Sequence, residues 1–305
     1  MTKSITYRAL LTAGIMIAAT CFAATAQATL LFNFPDFSSS AGLTLVGNAA
    51  LTGGPTNQLQ ITPADFSQAG AAYSTTAVTL GTNATFSTTF QFQFTNTGGW
   101  VGSPADGITF VLAKDSAGLG SAGGGLGYGT VDNSFAIEFD TYDNTGDSVL
   151  DANSSNHIAI LENGSIHTYD SPYFTSDIAL VNPYGVSNCT DAYHTSAGCM
   201  SNGEIWTATI GYDGINLSVT VQDGANSVYT IYDNMPIDIA SLIGSTTAYV
   251  GFTGGTGGGF EQQNILNWQL ANDTSLGPTV PEPATLSLLG LGLAAIGLMR
   301  RRMAA

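Results

Sequence analysis

Positions 138 to 157 gather an unusual concentration of oxygen and imidazole donors: Glu138, Asp140, Asn144, Asp147, Asp151 and His157. They follow an apolar alternation, Phe135-Ala136-Ile137-Glu138-Phe139-Asp140-Thr141-Tyr142. In an extended strand successive side chains face opposite ways, so Phe135, Ile137 and Phe139 would point into a core. Glu138, Asp140 and Tyr142 would then share the other face. Two carboxylates one pleat apart repel each other unless a cation or a proton lies between them. Carboxylates with an amide and a backbone carbonyl suit Ca²⁺, whereas carboxylates with one imidazole suit Mn²⁺ or a similar ion. This is chemistry of cation capture. No Ser/His/Asp or Cys/His arrangement offers a nucleophile, and His167 and His194 stand in polar stretches without supporting motifs.

The elements that must hold these donors are strands. Ala84 to Phe94 (ATFSTTFQFQF) places Phe86, Phe90, Phe92 and Phe94 on one face. The same period of two runs through Trp206-Ala208-Ile210-Tyr212, Leu217-Val219-Val221, Ala248-Val250-Phe252 and Leu266-Trp268-Leu270. Alternation bounded by Gly, Asn and Asp predicts an all-β fold, an antiparallel β-sandwich or jelly roll. The 37 glycines suit many tight turns, and Gly118–Gly129 and Gly254–Gly259 form two Gly-rich loops. Almost no helical periodicity precedes the C-terminal tail, and no repeat of solenoid or propeller spacing is present.

The two ends read as addresses. Lys3 and Arg8, an apolar run from Ala9 to Ala24 and Ala26-Gln27-Ala28 make a secretory signal peptide over 1–28, to be removed by signal peptidase. At the other end Val280-Pro281-Glu282-Pro283 leads into an apolar stretch closed by Arg300-Arg301-Arg302. That stretch is short for a stable membrane span. Residues 29–270 are expected to form one domain, 271–280 a linker and 281–305 the tail. Between the ends Lys114 is the only basic residue, and of 22 acidic residues only Glu282 lies outside, so the domain carries a net charge near −20. Nucleic acid and anionic membranes are excluded as partners, because both need Lys or Arg to neutralise phosphate. Cys189 and Cys199, close together in an exported chain, are expected to close a short disulfide loop.

The run Glu138-Phe139-Asp140-Thr141-Tyr142-x-Asn144, followed by Asn156-His157-Ile158, resembles the metal-binding motif of the L-type (legume) lectins. The resemblance implies a concanavalin A-like sandwich. It also implies that Glu138, Asp140, His157 and a loop aspartate hold a transition metal. Asp140, the Tyr142 carbonyl, Asn144 and the same aspartate would hold Ca²⁺. The aspartate is Asp151 by its distance to His157, with Asp147 the alternative by its distance from Asp140. Three further stretches match in order. Ala105-Asp106-Gly107-Ile108-Thr109-Phe110 resembles the loop whose aspartate, here Asp106, contacts sugar after a cis peptide. Gly124-Gly125-Leu126-Gly127 resembles the loop whose amide, assigned to Gly124, does the same. Tyr249 to Trp268 resembles the last strands, with Gly258 and Gly259 at the variable specificity loop. The tail resembles the PEP-CTERM sorting signal of Gram-negative bacteria, which a membrane protease, exosortase, removes.

The resemblances imply an exported, non-catalytic carbohydrate-binding protein at the cell surface or in the biofilm, and allow it to act as a homo-oligomer. The site would pair Asp106 with the amides of Gly124 and Asn144 around sugar hydroxyls, and offer the Tyr142 ring to the sugar's C–H surface. A structural matrix protein on the same fold is the alternative. A glycoside hydrolase of the laminarinase type needs a second glutamate after Glu138-x-Asp140, and Tyr142, Asp143 and Asn144 stand there instead.

Overall fold

The computed structural model describes residues 30–54, 56–80, 85–100, 103–144, 154–166, 198–224 and 228–272. The two expected end segments, Asp147, Asp151, Cys189 and the two remaining histidines lie outside them. In chain order the first strands are β1 (Leu30–Phe34), β2 (Leu43–Gly47), β3 (Ala50–Leu51), β4 (Leu59–Thr62) and β5 (Ala69–Ser74). Then come β6 (Val78–Thr79), β7 (Phe86–Gly99), β8 (Gly107–Ala113), β9 (Ser134–Asp140) and β10 (His157–Glu162). The last are β11 (Trp206–Tyr212), β12 (Asn216–Asp223), β13 (Val228–Pro236), β14 (Thr247–Gly255) and β15 (Gly259–Ala271).

All pairings are antiparallel and form two sheets. One has eight strands in the order β13-β12-β11-β7-β15-β4-β3 with β1 also on β15; the other has seven, β10-β9-β8-β14-β5-β2 with β6 also on β14. Rings from the two sheets meet between the layers: Phe90 lies 4.9 Å from Phe252, edge to face at 74°, and Phe92 lies 5.2 Å from Phe139, tilted at 57°. The expected inward set of β7 (Phe86, Phe90, Phe92 and Phe94) is buried in this core. The fold is a β-sandwich jelly roll, as the alternation predicts.

Two local departures have physical causes. In β15 a bulge between Ile265 and Asn267 inserts an extra residue, so Ile265 and Trp268 both reach the core while Leu266 is only half-buried. A strict alternation of Leu266, Trp268 and Leu270 therefore fails at its first member. Among the described residues there is one short α-helix, α1 (Ile239–Ile243), started by the Asp238 side chain accepting from the Ser241 amide at 3.0 Å and ended by Gly244 in the left-handed conformation.

A second apolar cluster positions the functional loops. The outer face of the seven-stranded sheet packs Tyr73, Val111, Ala136 and Leu161 against Leu126 and Tyr128. Those two side chains pin the Gly-rich segment 118–129 across the sheet. The Tyr128 hydroxyl accepts from Ser134 Oγ at 2.8 Å and from the Gly164 amide at 3.2 Å. Among the described residues, no helix is long and apolar enough to cross a membrane.

Candidate functional site

The site forms where β8, β9 and β14 end side by side. In register Gly107 pairs with both Asp140 and Gly255. Asp106, one residue earlier, continues that ladder: its amide donates to the Gly255 carbonyl at 3.1 Å and its carbonyl accepts from the Thr141 amide at 2.9 Å. The Asp106 backbone is thus clamped between two strands, and the Ala105–Asp106 peptide is cis, as the resemblance implies. Gly107 has φ +129°, and a Cβ there would stand 2.3 Å from the Phe139 carbonyl oxygen. Only glycine lets the clamp close.

The metal-type donors gather beside it. Phe135, Ile137 and Phe139 enter the core, while Glu138 and Asp140 emerge on the opposite face, as expected from the pleat. β10 pairs with β9 so that His157 lies opposite Asp140 and Ala159 opposite Glu138. Glu138, Asp140 and His157 are all buried, and each offers a ligand atom within 4.8 Å of the others. His157 Nε2 stands 3.2 Å from Glu138 Oε1 and Nδ1 stands 2.8 Å from the Ser154 carbonyl. A carbonyl can only accept, so the ring proton belongs on Nδ1 and the Nε2 lone pair faces a carboxylate. Two lone pairs at that separation need a proton or a cation between them. Donors about 2.1 Å from a transition metal also stand about 3 Å apart, so these three residues fit such an ion.

Strand β9 ends at Asp140, so Tyr142 lies beyond the pleat rather than on it. The chain turns there because the Tyr142 amide donates to Asp140 Oδ1 at 2.7 Å. Asn144 follows, buried, and the loop aspartates fall outside the described residues.

The Gly-rich loops complete the wall. Gly123 to Gly125 make a 3-10 turn, tied to β14 by Gly123 N donating to the Thr256 carbonyl at 2.9 Å and Thr253 Oγ1 to the Leu126 carbonyl at 2.8 Å. A Cβ on Gly124 would lie 2.7 Å from Asn144 Oδ1, so backbone and amide are already in contact. A Cβ on Gly257 would lie 3.3 Å from Asp106 Oδ2 and 3.2 Å from the Gly123 Cα. Gly124 thus lies against Asn144, and Asp106 against Gly257, which in turn lies against Gly123. Of the specificity loop, Gly257 is the member against Asp106, a residue that the sequence reading passed over. Gly258 instead faces Trp100, and Gly259 opens β15 opposite Gly99.

A second missed residue is Glu261, which is wholly buried on β15. Its Oε1 accepts from Thr141 Oγ1 at 2.9 Å and its Oε2 from Ser201 Oγ at 2.6 Å. Burial pushes its carboxyl up to about 8, with the nearby Asp106 charge adding to the rise and the Ser201 and Thr141 hydroxyls opposing it. A glutamate in an alternating strand reads as solvent-facing, so only its inward parity against Gln263 could have signalled it.

The family model described as the legume lectin beta-barrel domain matches residues 34–268, and the PEP-CTERM protein-sorting motif matches residues 279–302. Agglutinin-2 of Cladrastis kentukea is 29% identical over 268 residues, spanning 79% of this chain and 80% of its own length. The lectin of Bauhinia forficata, solved in complex with GalNAc, is 27% identical with a TM-score of 0.58, covering 81% of this chain and all of its own. Lectin I-B4 of Griffonia simplicifolia in its metal-free form is also 27% identical, with a TM-score of 0.60 over 78% of this chain and 97% of its own. The chain belongs to the legume-type lectin domain family and carries a PEP-CTERM sorting motif at its C-terminal end.

Proposed function

We propose that this protein is an exported, metal-dependent carbohydrate-binding protein without catalytic activity, its sugar held by Asp106, Gly124 and Asn144. The observation that carries this reading is the wall itself. A buried carboxylate and a buried amide stand beside Gly257 and Gly124, where even a Cβ would crowd them. Sugar hydroxyls donate to the Asp106 carboxylate and accept from the Gly124 amide and the Asn144 NH₂ group. The Tyr142 ring adds an apolar face.

Glu138, Asp140 and His157 would hold a transition metal with Asp151, or Asp147 in its place. Asp140, the Tyr142 carbonyl, Asn144 and the same aspartate would hold Ca²⁺. Such ions supply fixed positive charge that relieves repulsion among the carboxylates. The chain's own residues do the positioning: Thr141 links the metal-type loop to the Asp106 carbonyl, so a displaced loop releases the sugar contact.

The remaining parts of the reading follow from the ends and the surface. The signal peptide and the sorting tail direct export to the surface or exterior of a Gram-negative cell, through signal peptidase and exosortase. A Cys189–Cys199 disulfide would brace the segment that returns to β11. Shallow polar sites of this kind hold single sugars at about millimolar strength, so useful binding needs several copies. The polar outer face of the eight-stranded sheet, where Thr89 meets Thr209 and Gln91 meets Thr207, would accommodate such an assembly.

A glycan and polysaccharide array, run with Ca²⁺ and Mn²⁺ and again with EDTA, tests the reading; GalNAc is a sensible reference sugar. We expect binding that EDTA abolishes and that Asp106→Asn lowers at least tenfold, about the worth of one charge-assisted hydrogen bond. Unchanged binding by Asp106→Asn would move the site elsewhere. A folded protein that binds nothing with metals present would favour the structural matrix role.

A further inference from the structure

Beside the wall lies an aromatic cluster that the single-sugar reading does not use. Trp100, just past the end of β7, is 84% exposed, by far the most exposed large apolar side chain among the described residues. It does not dangle. Its amide donates to the Gly258 carbonyl at 2.9 Å, and its ring packs on Phe66 with centroids 4.8 Å apart. Phe66 is in turn held edge-on by Phe260, 5.0 Å away at 89°. Gly98 makes room for Phe260, since a Cβ there would lie 2.9 Å from the ring. Three rings thus brace one another and leave one indole face in water, where it forfeits the gain of burial.

The platform is continuous with the sugar site. Gly257 faces the Asp106 carboxylate and the next residue, Gly258, faces the Trp100 ring, within 3.8 Å of a Cβ at that position. Consecutive α-carbons are about 3.8 Å apart, so carboxylate and indole flank a strip two residues wide and free of side chains. The Ser67 amide fixes that strip by donating to the Gly257 carbonyl at 3.2 Å.

We propose that Trp100, backed by Phe66 and Phe260, is a second subsite that stacks the neighbouring unit of a neutral oligosaccharide chain whose first unit sits at Asp106. The proposal rests on the carbohydrate-binding reading. A pyranose offers a flat C–H face to an aromatic ring and its hydroxyls to polar groups at the rim, so a carboxylate and an indole against successive residues of one glycine strip suit adjoining units. The domain's negative charge repels sulfated or uronate-rich polymers. The ligand is therefore a neutral chain, bound in preference to its monomer.

The test uses the full chain, exported and processed, loaded with Ca²⁺ and Mn²⁺. Its probes are mono-, di- and trisaccharide ladders of galactose, N-acetylgalactosamine, mannose and glucose, followed by calorimetry. Trp206 and Trp268 are fully buried, so acrylamide quenching of tryptophan fluorescence reports on Trp100. The expected result is at least tenfold tighter binding of one ladder's di- or trisaccharide than of its monomer, with protection of Trp100 from quencher. Trp100→Ala should remove that increment and leave monomer affinity unchanged, while Trp100→Phe retains most of it. Equal oligosaccharide binding by wild type and Trp100→Ala, with Asp106→Asn abolishing both, would overturn the subsite and leave the sugar-binding reading intact. A wild type that binds none of the probes would overturn both.

Discussion

Glu261 shows how one buried side chain can bias the whole site. It lies beneath the turn that carries Asp140, Thr141 and Tyr142, and touches that turn through Thr141. Its carboxyl is raised to about 8 by burial first, then by the Asp106 charge. In the folded chain it keeps its proton up to about pH 8, whereas in the unfolded chain it ionises above its ordinary value of 4.5. The native state therefore binds more protons between those values, and stability is full below about pH 4.5 and falls as pH rises towards 8. Glu261→Gln keeps partners for both hydroxyls and removes the titration. In EDTA we expect the variant to match wild type near pH 4.5 and to be more stable by about 4 kcal/mol at pH 8. Urea unfolding at several pH values measures this; parallel curves across that range would show that Glu261 does not titrate there.

At the scale of elements, the site is a meeting of three strand ends and two glycine loops, each placed by something outside it. The 118–129 loop is carried by Leu126 and Tyr128 on the outer face of the sheet, and Gly257 is carried by the junction of β14 and β15. The closeness of backbone to polar side chain makes the glycines unequal. A valine at 257 projects into the gap beside Asp106, already at 3.3 Å for its Cβ alone, whereas an alanine at 258 meets nothing nearer than 3.8 Å. We expect Gly257→Val to abolish monosaccharide binding and to lower stability by about 1–3 kcal/mol, as overpacking does. Gly258→Ala should leave both within error. Calorimetric titration with thermal denaturation separates the two; equal binding by both variants would place the sugar away from Gly257.

The whole molecule is strongly acidic, with Lys114 alone opposing the carboxylates between residues 29 and 280. Like charges spread over one domain repel, and salt shortens their reach to about 10 Å at 0.1 M. Raising NaCl from about 0.01 M to 0.2 M should therefore raise the melting temperature, by about 2–4 °C for each 1 kcal/mol of repulsion relieved. The same charge predicts no retention on a heparin column at low salt. A melting temperature indifferent to salt would mean that the carboxylates are already neutralised in pairs or by bound cations.

The sequence by itself determined what depends on neighbours along the chain. Alternation in Phe86 to Phe94 and Phe135 to Phe139 named the inward faces, because pleating is local. The order Glu138, Asp140, Asn144, His157 marked the proposed donors because two adjacent strands and their loop carry them. Asp106-Gly107 was legible for the same reason. Tertiary structure alone decided what depends on residues far apart: which specificity-loop glycine meets Asp106, that Glu261 turns inward under Thr141, and that Trp100 finds a backing ring in Phe66. It also decided that β15 bulges at Ile265, shifting Leu266 out of the core, since a long strand paired with β7 on one side and β4 on the other must satisfy both registers. Such contacts come from packing two twisted sheets against each other, and no window along the chain contains both partners.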